Sequence, residues 1–179
     1  GAQVTTTGLL TSGSSVVFGG SVTQLTLNGG ASGSFSLGTD INNILTLGAG
    51  QTITGNITST GGGGTLVLNS GSKVTGNMGS LVNKIGKIIL NGGGTIELDG
   101  LSFSNNLGIA NPGLVVKAKG VINCNIDYTA DGTVEAGAGI AGNVTTSANN
   151  QGKLLIGGGT VSGTVGTVTN ALKLVDFVA

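Results

Sequence analysis

The sequence of 179 residues predicts an all-β fold, a parallel β-helix of about seven to eight stacked coils that occupies residues 1–179 as one segment. Three observations predict it. A five-residue pattern of apolar, small polar, glycine, asparagine or threonine, and apolar residues recurs about every 20 positions. A shorter alternation of apolar and polar residues precedes the copies. Glycine-rich turns lie between the two patterns.

The five-residue pattern is clear in four places and looser in two. The first residues of successive copies are separated by 21, 22, 26, 18 and 21 positions. The copies are Ile53–Ile57, Val74–Met78, Ile96–Gly100, Ile122–Ile126, Ile140–Val144 and Val161–Val165. An antiparallel β-sandwich or barrel has short strands at a compatible spacing, but it does not require position-specific repetition at this period. The repetition therefore favours the solenoid.

The alternating pattern is typical of short strands with one buried face. The alternating pairs are Leu45/Leu47, Leu66/Leu68, Ile88/Leu90, Val116/Ala118, Val134/Ala136 and Leu154/Ile156. A unit of about 20 residues cannot bury its own apolar face, whereas copies stacked at about 4.8 Å form a continuous core. No window shows the periodicity and the caps that indicate a helix.

Stacking in register predicts columns of equivalent side chains along the coil axis. Two columns should point inward, and a polar column should point outward, where asparagine amides can hydrogen-bond from coil to coil. The inward columns are Ile53, Val74, Ile96, Ile122, Ile140 and Val161, and Leu47, Leu68, Leu90, Ala118, Ala136 and Ile156; the outward column is Asn56, Asn77, Asp99, Asn125, Asn143 and Thr164.

The same alternation makes predictions for single residues. Cys124 should point inward, as a small buried residue rather than a reactive thiol, because no histidine or arginine is present to lower its pKa. Lys117 and Glu135 should lie on neighbouring coils, where an exposed ion pair contributes about 0–1 kcal/mol. Val67 and Ile89 should share one outward column.

One interval departs from the repeat. Leu90 and Ala118 are 28 residues apart, against about 20 for the other intervals. The extra length falls in residues 101–113, which contain the only proline, so this segment is predicted to be a longer turn. A long loop on a rigid repeat scaffold is a common place for binding function, which makes Phe103, Asn105 and Asn106 the candidate binding residues. The alternative is an apolar flap that covers one side of the rod.

Composition argues against most catalytic and nucleic-acid-binding functions. Only 8% of residues are charged, the net charge is 0, and histidine and arginine are absent. Nucleic-acid binding would need clustered positive charge, and a histidine-based triad is excluded. The single cysteine excludes an intrachain disulfide framework and a cysteine zinc site. We therefore expect no enzymatic activity, no catalytic residues, no metal site, no cofactor, no nucleic-acid partner and no membrane-spanning helix.

Two other functions stay open at this point. A glycan-processing or glycan-binding β-helix would need paired carboxylates, and Glu97, Asp99 and Asp127 could approach to about 5 Å, as retaining glycoside hydrolysis requires. An ice-binding solenoid is suggested by the Thr-x-Thr sequences at residues 52–54 and 167–169. Ice binding would require aligned threonine pairs on every coil.

The repeat style resembles that of the passenger domains of Gram-negative autotransporters, and most of all the rickettsial surface antigens, outer-membrane proteins A and B. The residues that carry the likeness are 45–57, 92–99 and 152–165, as in the segment GGGTIELD, and the likeness extends over most of the chain. The resemblance implies a right-handed parallel β-helix. It also implies display on the bacterial surface as an adhesin and antigen, or secretion after cleavage.

The resemblance has consequences for partners. It implies contact with a host-cell surface protein or glycan, and anchoring to the outer membrane through a C-terminal barrel that this chain does not contain. We then expect an excised passenger segment or a mature product. Independently of the resemblance, exposed coil ends are expected to allow self-association unless they are capped.

Overall fold

The structure is a computed structural model that describes residues 1–19 and 23–178. All regular secondary structure in those residues is β-strand, and every strand pair is parallel, which confirms the predicted parallel β-helix. The strands are β1 (Ala2–Thr6), β2 (Leu10–Thr11), β3 (Val16–Val17), β4 (Thr23–Leu27), β5 (Ala31–Ser32), β6 (Phe35–Ser36), β7 (Ile44–Leu47), β8 (Thr52–Thr54), β9 (Ile57–Thr58), β10 (Thr65–Asn69), β11 (Lys73–Val74), β12 (Lys87–Asn91), β13 (Gly94–Leu98), β14 (Ser102–Ile109), β15 (Leu114–Ala118), β16 (Ile122–Tyr128), β17 (Thr133–Ala136), β18 (Val144–Thr146), β19 (Lys153–Ile156) and β20 (Leu174–Phe177).

The chain winds through three sheets. Sheet A has the order β1-β4-β7-β10-β12-β14-β16-β18, sheet B has the order β2-β5-β8-β11-β13-β15-β17-β19-β20, and sheet C has the order β3-β6-β9. The result is a β-solenoid of about nine turns. The predicted number of coils is too low because the first coils carry only degenerate copies of the pattern, such as Ala31–Phe35, which stacks on Ile53–Ile57.

Inward-facing apolar side chains form one continuous core along the axis. Inside sheet A the column contains Leu25, Leu45, Leu66, Ile88, Leu107, Ile126 and Val144; inside sheet B it contains Ile53, Val74, Leu98, Ala118, Ala136 and Ile156. All of these are buried, most of them completely. Each fully buried Leu, Ile or Val contributes about 1.5–3 kcal/mol by leaving water, so the core offsets the ordering of a glycine-rich chain.

The predicted inward columns are correct in pieces but wrong as wholes. Ile53 does stack on Val74, but Val74 pairs with Leu98 rather than with Ile96. The later members Ile122, Ile140 and Val161 form a separate column at another corner of the coil. The predicted copies therefore come from two different corners of the coil. Both corners are tight turns that favour the same small residues, so their sequences look alike.

The second predicted column divides in the same way. Leu47, Leu68 and Leu90 lie in sheet A, whereas Ala118, Ala136 and Ile156 lie in sheet B. The alternating pairs are real strands in every case, and they bury the side chains that the alternation indicates. What the pattern did not reveal is which sheet each strand joins.

The predicted long turn at residues 101–113 is wrong. Residues Ser102–Ile109 form strand β14, which pairs with β12 on one side and β16 on the other. The apparent extra length arose because Leu90 and Ala118 belong to different sheets. The alternative of an apolar flap is wrong as well, since Leu107 and Ile109 are core residues with 1% and 0% exposure.

The extra residues of the chain lie elsewhere, in a turn at residues 79–84. Met78 pairs with Ser102, and Ile85 pairs with Ser104. The chain therefore takes seven residues to pass from Met78 to Ile85, whereas the next coil takes only two residues to pass between the paired positions Ser102 and Ser104. The additional residues project from the corner between sheets C and A.

Glycines at the corner between sheets B and C allow the coils to stack. A Cβ atom added at Gly55, Gly76 or Gly100 would lie 2.1–2.3 Å from the carbonyl oxygen of the glycine one coil below. No rotamer change can relieve such a contact, because the obstructing atoms belong to the backbone. This close approach explains why the five-residue pattern has glycine at its centre.

Asparagine side chains join successive coils, although in two short ladders rather than one column. Asn56 Oδ1 accepts the backbone N–H of Asn77 at 2.9 Å, and Asn77 Oδ1 accepts that of Leu101 at 2.8 Å. At another corner, Asn125 and Asn143 act in the same way on the following coil. The acceptors are amide oxygens and the donors are backbone N–H groups, joined at Asn143 by the hydroxyl of Thr164, so neither ladder is an amide-to-amide stack. Asp99, predicted to belong to the column, lies on the outer face of sheet B instead.

Candidate functional site

The predicted binding residues lie on strand β14. Phe103 is half-buried, and Asn105 and Asn106 are exposed at a bulge where the register with β16 shifts. The Asn105 side-chain amide donates to the carbonyl oxygen of Gly86 at 3.3 Å. The three side chains are therefore held on the outside of sheet A, and their role in binding stays a prediction.

The carboxylates that a glycoside hydrolase would need do not converge. Glu97 and Asp99 lie at the end of β13 in sheet B, whereas Asp127 lies on β16 in sheet A. Asp127 accepts a hydrogen bond from the hydroxyl of Thr145 at 3.1 Å on its own sheet. Asp127 therefore cannot pair with Glu97 or Asp99, and the Glu97 and Asp99 carboxylates both contact the ammonium group of Lys73, at 2.9 Å each.

The outer face of sheet B carries a cluster of charged side chains, which we call the charged strip. Its members are Lys73, Glu97, Asp99, Lys117, Lys119 and Glu135. Strand register sets their order, because Lys73, Glu97, Lys117 and Glu135 occupy equivalent positions on four successive coils. Positive and negative charges thus alternate along the axis, at the spacing of about 4.8 Å between neighbouring strands.

Ion pairs link the charged strip from coil to coil. Lys73 Nζ lies 2.9 Å from Glu97 Oε2 and 2.9 Å from Asp99 Oδ2. Lys119 Nζ lies 2.9 Å from the other oxygen of Asp99. Lys117 Nζ lies 3.7 Å from Glu135 Oε2, which confirms that these two residues occupy neighbouring coils.

These contacts favour the ionised forms of Lys73, Glu97 and Asp99. The hydrogen bond from Lys73 holds the pKa of Glu97 below its usual value. The hydrogen bond from Lys119 does the same for the pKa of Asp99, with a smaller contribution from Lys73. Both carboxylates in turn raise the pKa of Lys73. A carboxylate with a lowered pKa is a poor general acid near neutral pH, so the strip is better suited to electrostatic contact than to proton transfer.

A shallow groove of about 460 Å³ borders the upper part of the strip. Lys117, Glu135 and Leu155 stack along one side, and Lys119 and Val178 lie at the two ends of the neighbouring column. The groove exists because Gly137 and Gly157 occupy the positions that carry Asp99 and Lys119 on the coils below. It is open to solvent and lined mainly by apolar atoms.

The two buried titratable groups outside the strip are structural. Cys124 is 5% exposed, and burial raises the pKa of its thiol, which agrees with the prediction of an inward, unreactive cysteine. Burial also raises the pKa of Tyr128 strongly. The Tyr128 hydroxyl donates to the carbonyl oxygen of Lys153 at 2.7 Å, so it ties one coil to the next.

The turn at residues 79–84 presents two large apolar side chains to solvent. Leu81 is 75% exposed and Val82 is 83% exposed. The turn is ordered by its own contacts, because Ser80 N–H donates to Asn83 O at 2.9 Å and Gly61 N–H donates to Asn83 Oδ1 at 3.3 Å. Sequence reasoning missed this feature. Aligning Met78 with Ser102 would have revealed it.

The two ends of the solenoid expose apolar side chains. Val4 and Val17 are 51% and 68% exposed at one end, and Val175 and Phe177 are 42% and 76% exposed at the other. Strands β1 and β20 are the outermost strands of sheets A and B. Self-association at these ends stays a prediction.

The threonine pairs do not form a regular array. Thr52 is followed in its column by Lys73 and Glu97, so charged side chains interrupt the arrangement that ice binding requires. In the second pair, Thr167 and Thr169 lie outside any strand, and their hydroxyls are 3.3 Å apart.

Within residues 1–19 and 23–178, no group of three or more histidine, cysteine, aspartate or glutamate side chains is placed to hold a metal ion. The same residues include no helix that is long and apolar enough to cross a bilayer. Comparisons with models of protein families, with curated proteins and with solved structures gave no significant match for this chain.

Proposed function

We propose that this chain is a surface-displayed structural rod, an autotransporter passenger segment that acts as a stalk and as an adhesin and antigen in contact with host cells. The observation that carries the proposal is the uninterrupted stacking of about nine coils into one rod. Its charged strip holds the pKa values of Glu97 and Asp99 below their usual values, so these carboxylates favour electrostatic contact over proton transfer. A rigid rod with flat outer faces is suited to presenting a surface at a distance and to contact over many coils.

The sequence resemblance provides the location. A passenger segment of this kind would lie on the bacterial cell surface, held at the outer membrane by a further part of the protein, or would be released after cleavage. The low proportion of charged residues and the net charge of 0 agree with a protein that meets other macromolecules through shape and hydrogen bonding rather than through strong electrostatic attraction.

Attachment of coated beads to host cells tests adhesion. Fluorescent beads that carry the folded chain should attach to cultured cells more than beads that carry an unrelated β-solenoid of similar length. Treating the cells with protease or with glycosidases beforehand identifies a protein or a glycan receptor. Equal attachment of the two kinds of bead would contradict the adhesive role.

Antibody labelling tests the location independently. Antibodies against this chain should stain intact, unpermeabilised bacteria that express the whole protein, or should detect the chain in the medium after cleavage. Staining that appears only after permeabilisation would contradict surface display. The antibody experiment stands whether or not beads attach.

The candidate binding residues can be tested in the same bead assay. Replacing Asn105 and Asn106 by alanine changes exposed side chains on sheet A, and Lys87→Ala on the same sheet serves as the control. Lower attachment of the double variant alone would assign the contact to β14. Unchanged attachment would remove these residues from the proposal while leaving the adhesive role of the rod intact.

A further inference from the structure

We infer that the charged strip on sheet B is a self-complementary interface through which two copies of this chain associate side by side with opposite directions. The inference does not depend on the proposed function, because it rests only on the order of charges along the solenoid axis. It concerns a lateral face, and it is distinct from contact between coil ends.

The charges along the strip are arranged so that the reversed order is complementary to the original. Read along the axis, the main column is Lys73, Glu97, Lys117, Glu135, which gives the signs plus, minus, plus, minus. A copy rotated by 180° about an axis parallel to the strands presents minus, plus, minus, plus to it. Three kinds of facing pair result, each occurring twice by symmetry: Lys73 with Glu135, Glu97 with Lys117, and Asp99 with Lys119.

The neighbouring column supports the same arrangement. The backbone hydrogen bonds that follow β13 and β15 continue the strand register by one residue, so Asp99 and Lys119 occupy equivalent positions on adjacent coils. In the antiparallel pair each faces the other from the opposite copy. At the remaining facing positions no charge meets another: Thr75 meets Gly137, Thr52 meets Leu155, and Asp176, one coil beyond Leu155, lies opposite Gly30.

The parallel alternative is unfavourable. If the two copies pointed in the same direction, they would be related by a two-fold axis that lies between them and is parallel to the solenoid axis. The main column of one copy would then face the neighbouring column of the other at the same coil. Glu97 would then face Asp99, and Lys117 would face Lys119. Like charges facing each other across an interface are strongly disfavoured, so the strip selects the antiparallel pair.

The strip has the exposure that an interface needs. Its side chains retain between 21% and 68% of their accessible surface. The column beside it is half-buried and carries Thr95, Val115 and Thr133 on successive coils, with Lys153 following on the next coil. Two such strips can approach without isolating one of their own charges, because each charge of the strip already has an opposite charge on its own copy.

Sedimentation equilibrium at two salt concentrations tests the association. The purified chain should dimerise at low salt, and the dissociation constant should rise by about tenfold or more between 0.05 M and 0.5 M NaCl, because exposed charge pairs are screened. A chain that stays monomeric at about 100 μM protein in low salt would overturn the inference.

Charge exchange separates contact between copies from contact within one copy. Glu97→Lys sets lysine against Lys117 twice in each dimer and should weaken association by about tenfold or more. Adding Lys117→Glu restores every pair between copies, but it leaves like charges next to each other within each copy. The double variant should therefore regain dimerisation to within about threefold while its melting temperature stays low.

Two controls complete the experiment. Lys87→Glu reverses a charge on the outside of sheet A and should leave the dissociation constant unchanged. In a Cys124→Ala background, a copy with Thr52→Cys should form a disulfide with a copy carrying Leu155→Cys, but not with its own kind. Circular dichroism confirms that each variant is folded. Failure of the double charge variant to regain dimerisation, or cross-linking between Thr52→Cys copies alone, would overturn the antiparallel arrangement.

Discussion

Two corners of the same coil differ in what determines their conformation. The corner formed by residues 75–77 has no free space, since a Cβ atom at Gly76 would lie 2.1 Å from the carbonyl oxygen of Gly55. A few residues later, the turn at residues 79–84 leaves the stack and holds Leu81 and Val82 in solvent. The first corner is determined by contact with the coils above and below it. The second is determined mainly by hydrogen bonds within the turn and to one neighbouring loop. Regularity in this fold is thus a property of particular corners and not of the whole coil.

The largest effect expected at the tight corner comes from a single methyl group. Gly76→Ala should lower the free energy of unfolding by about 2–3 kcal/mol, because the added Cβ meets backbone atoms that cannot rotate away. Chemical denaturation monitored by circular dichroism measures the change. Gly108→Ala is the matched control, since nothing lies within 4 Å of a Cβ at Gly108, and it should change stability by less than about 0.5 kcal/mol. Equal effects of the two substitutions would contradict the steric account.

The asparagine at the same corner should have the next largest effect. Asn77→Ala removes the acceptor of the Leu101 N–H, which is 2.8 Å away, and leaves that donor without its partner. The expected loss is about 1–2 kcal/mol. Asn77→Asp keeps an acceptor oxygen at the same place and should recover part of the loss. If alanine and aspartate were equally destabilising, the hydrogen bond would not be what asparagine contributes.

Acid should act on neither corner, because glycine, asparagine and leucine do not titrate. It should act on the charged strip, where the lowered pKa values of Glu97 and Asp99 contribute stability that is present above their usual values of 4.5 and 3.8. That stability is lost as the pH falls through the lowered values. Melting temperatures of the wild type and of Lys73→Met should therefore differ at pH 7 and converge near pH 2. The difference is expected to be smaller than that caused by Asn77→Ala, because exposed pairs are screened by water and salt.

A parallel measurement isolates the tight corner from electrostatics. The cost of Gly76→Ala should be the same at pH 7 and at pH 5, because the obstructing atoms are uncharged. A cost that varied over this range would show that the corner is coupled to the charged strip, whose Asp99 stacks on Thr75.

Substitutions in the turn at residues 79–84 should have the smallest effect on stability, even when they change the polarity of two side chains. Replacing Leu81 and Val82 by serine should alter the free energy of unfolding by less than about 0.5 kcal/mol, since both side chains are already in water. Asn83→Ala in the same turn should cost more, because Asn83 Oδ1 accepts the N–H of Gly61. A double serine variant less stable than Asn83→Ala would show that Leu81 or Val82 packs against the rod.

The sequence was sufficient to predict the fold class, because period-two alternation and stacking are local properties. The same alternation correctly placed Cys124 inside, and it correctly placed Val67 beside Ile89 and Lys117 beside Glu135. These predictions need only the parity of a residue and the identity of the next coil.

The sequence was insufficient wherever two corners had to be told apart. The copies at 74–78 and 140–144 look alike because both corners need a small residue, yet the first joins sheets B and C and the second joins sheets C and A. The confusion displaced Glu97 by two residues relative to Lys73. The charged strip was therefore missed, and an ordinary strand was predicted to be the long turn that carried the candidate binding residues.

The turn at residues 79–84 has a practical consequence for engineering. Because the adjoining coils pair on either side of it, with Met78 on Ser102 and Ile85 on Ser104, the intervening peptide can be replaced without changing the path of the rod. A foreign epitope grafted in place of residues 81–82 would stand clear of the scaffold, whereas the same graft at residues 75–77 would separate the coils. This turn is thus a natural display position for peptide cargo.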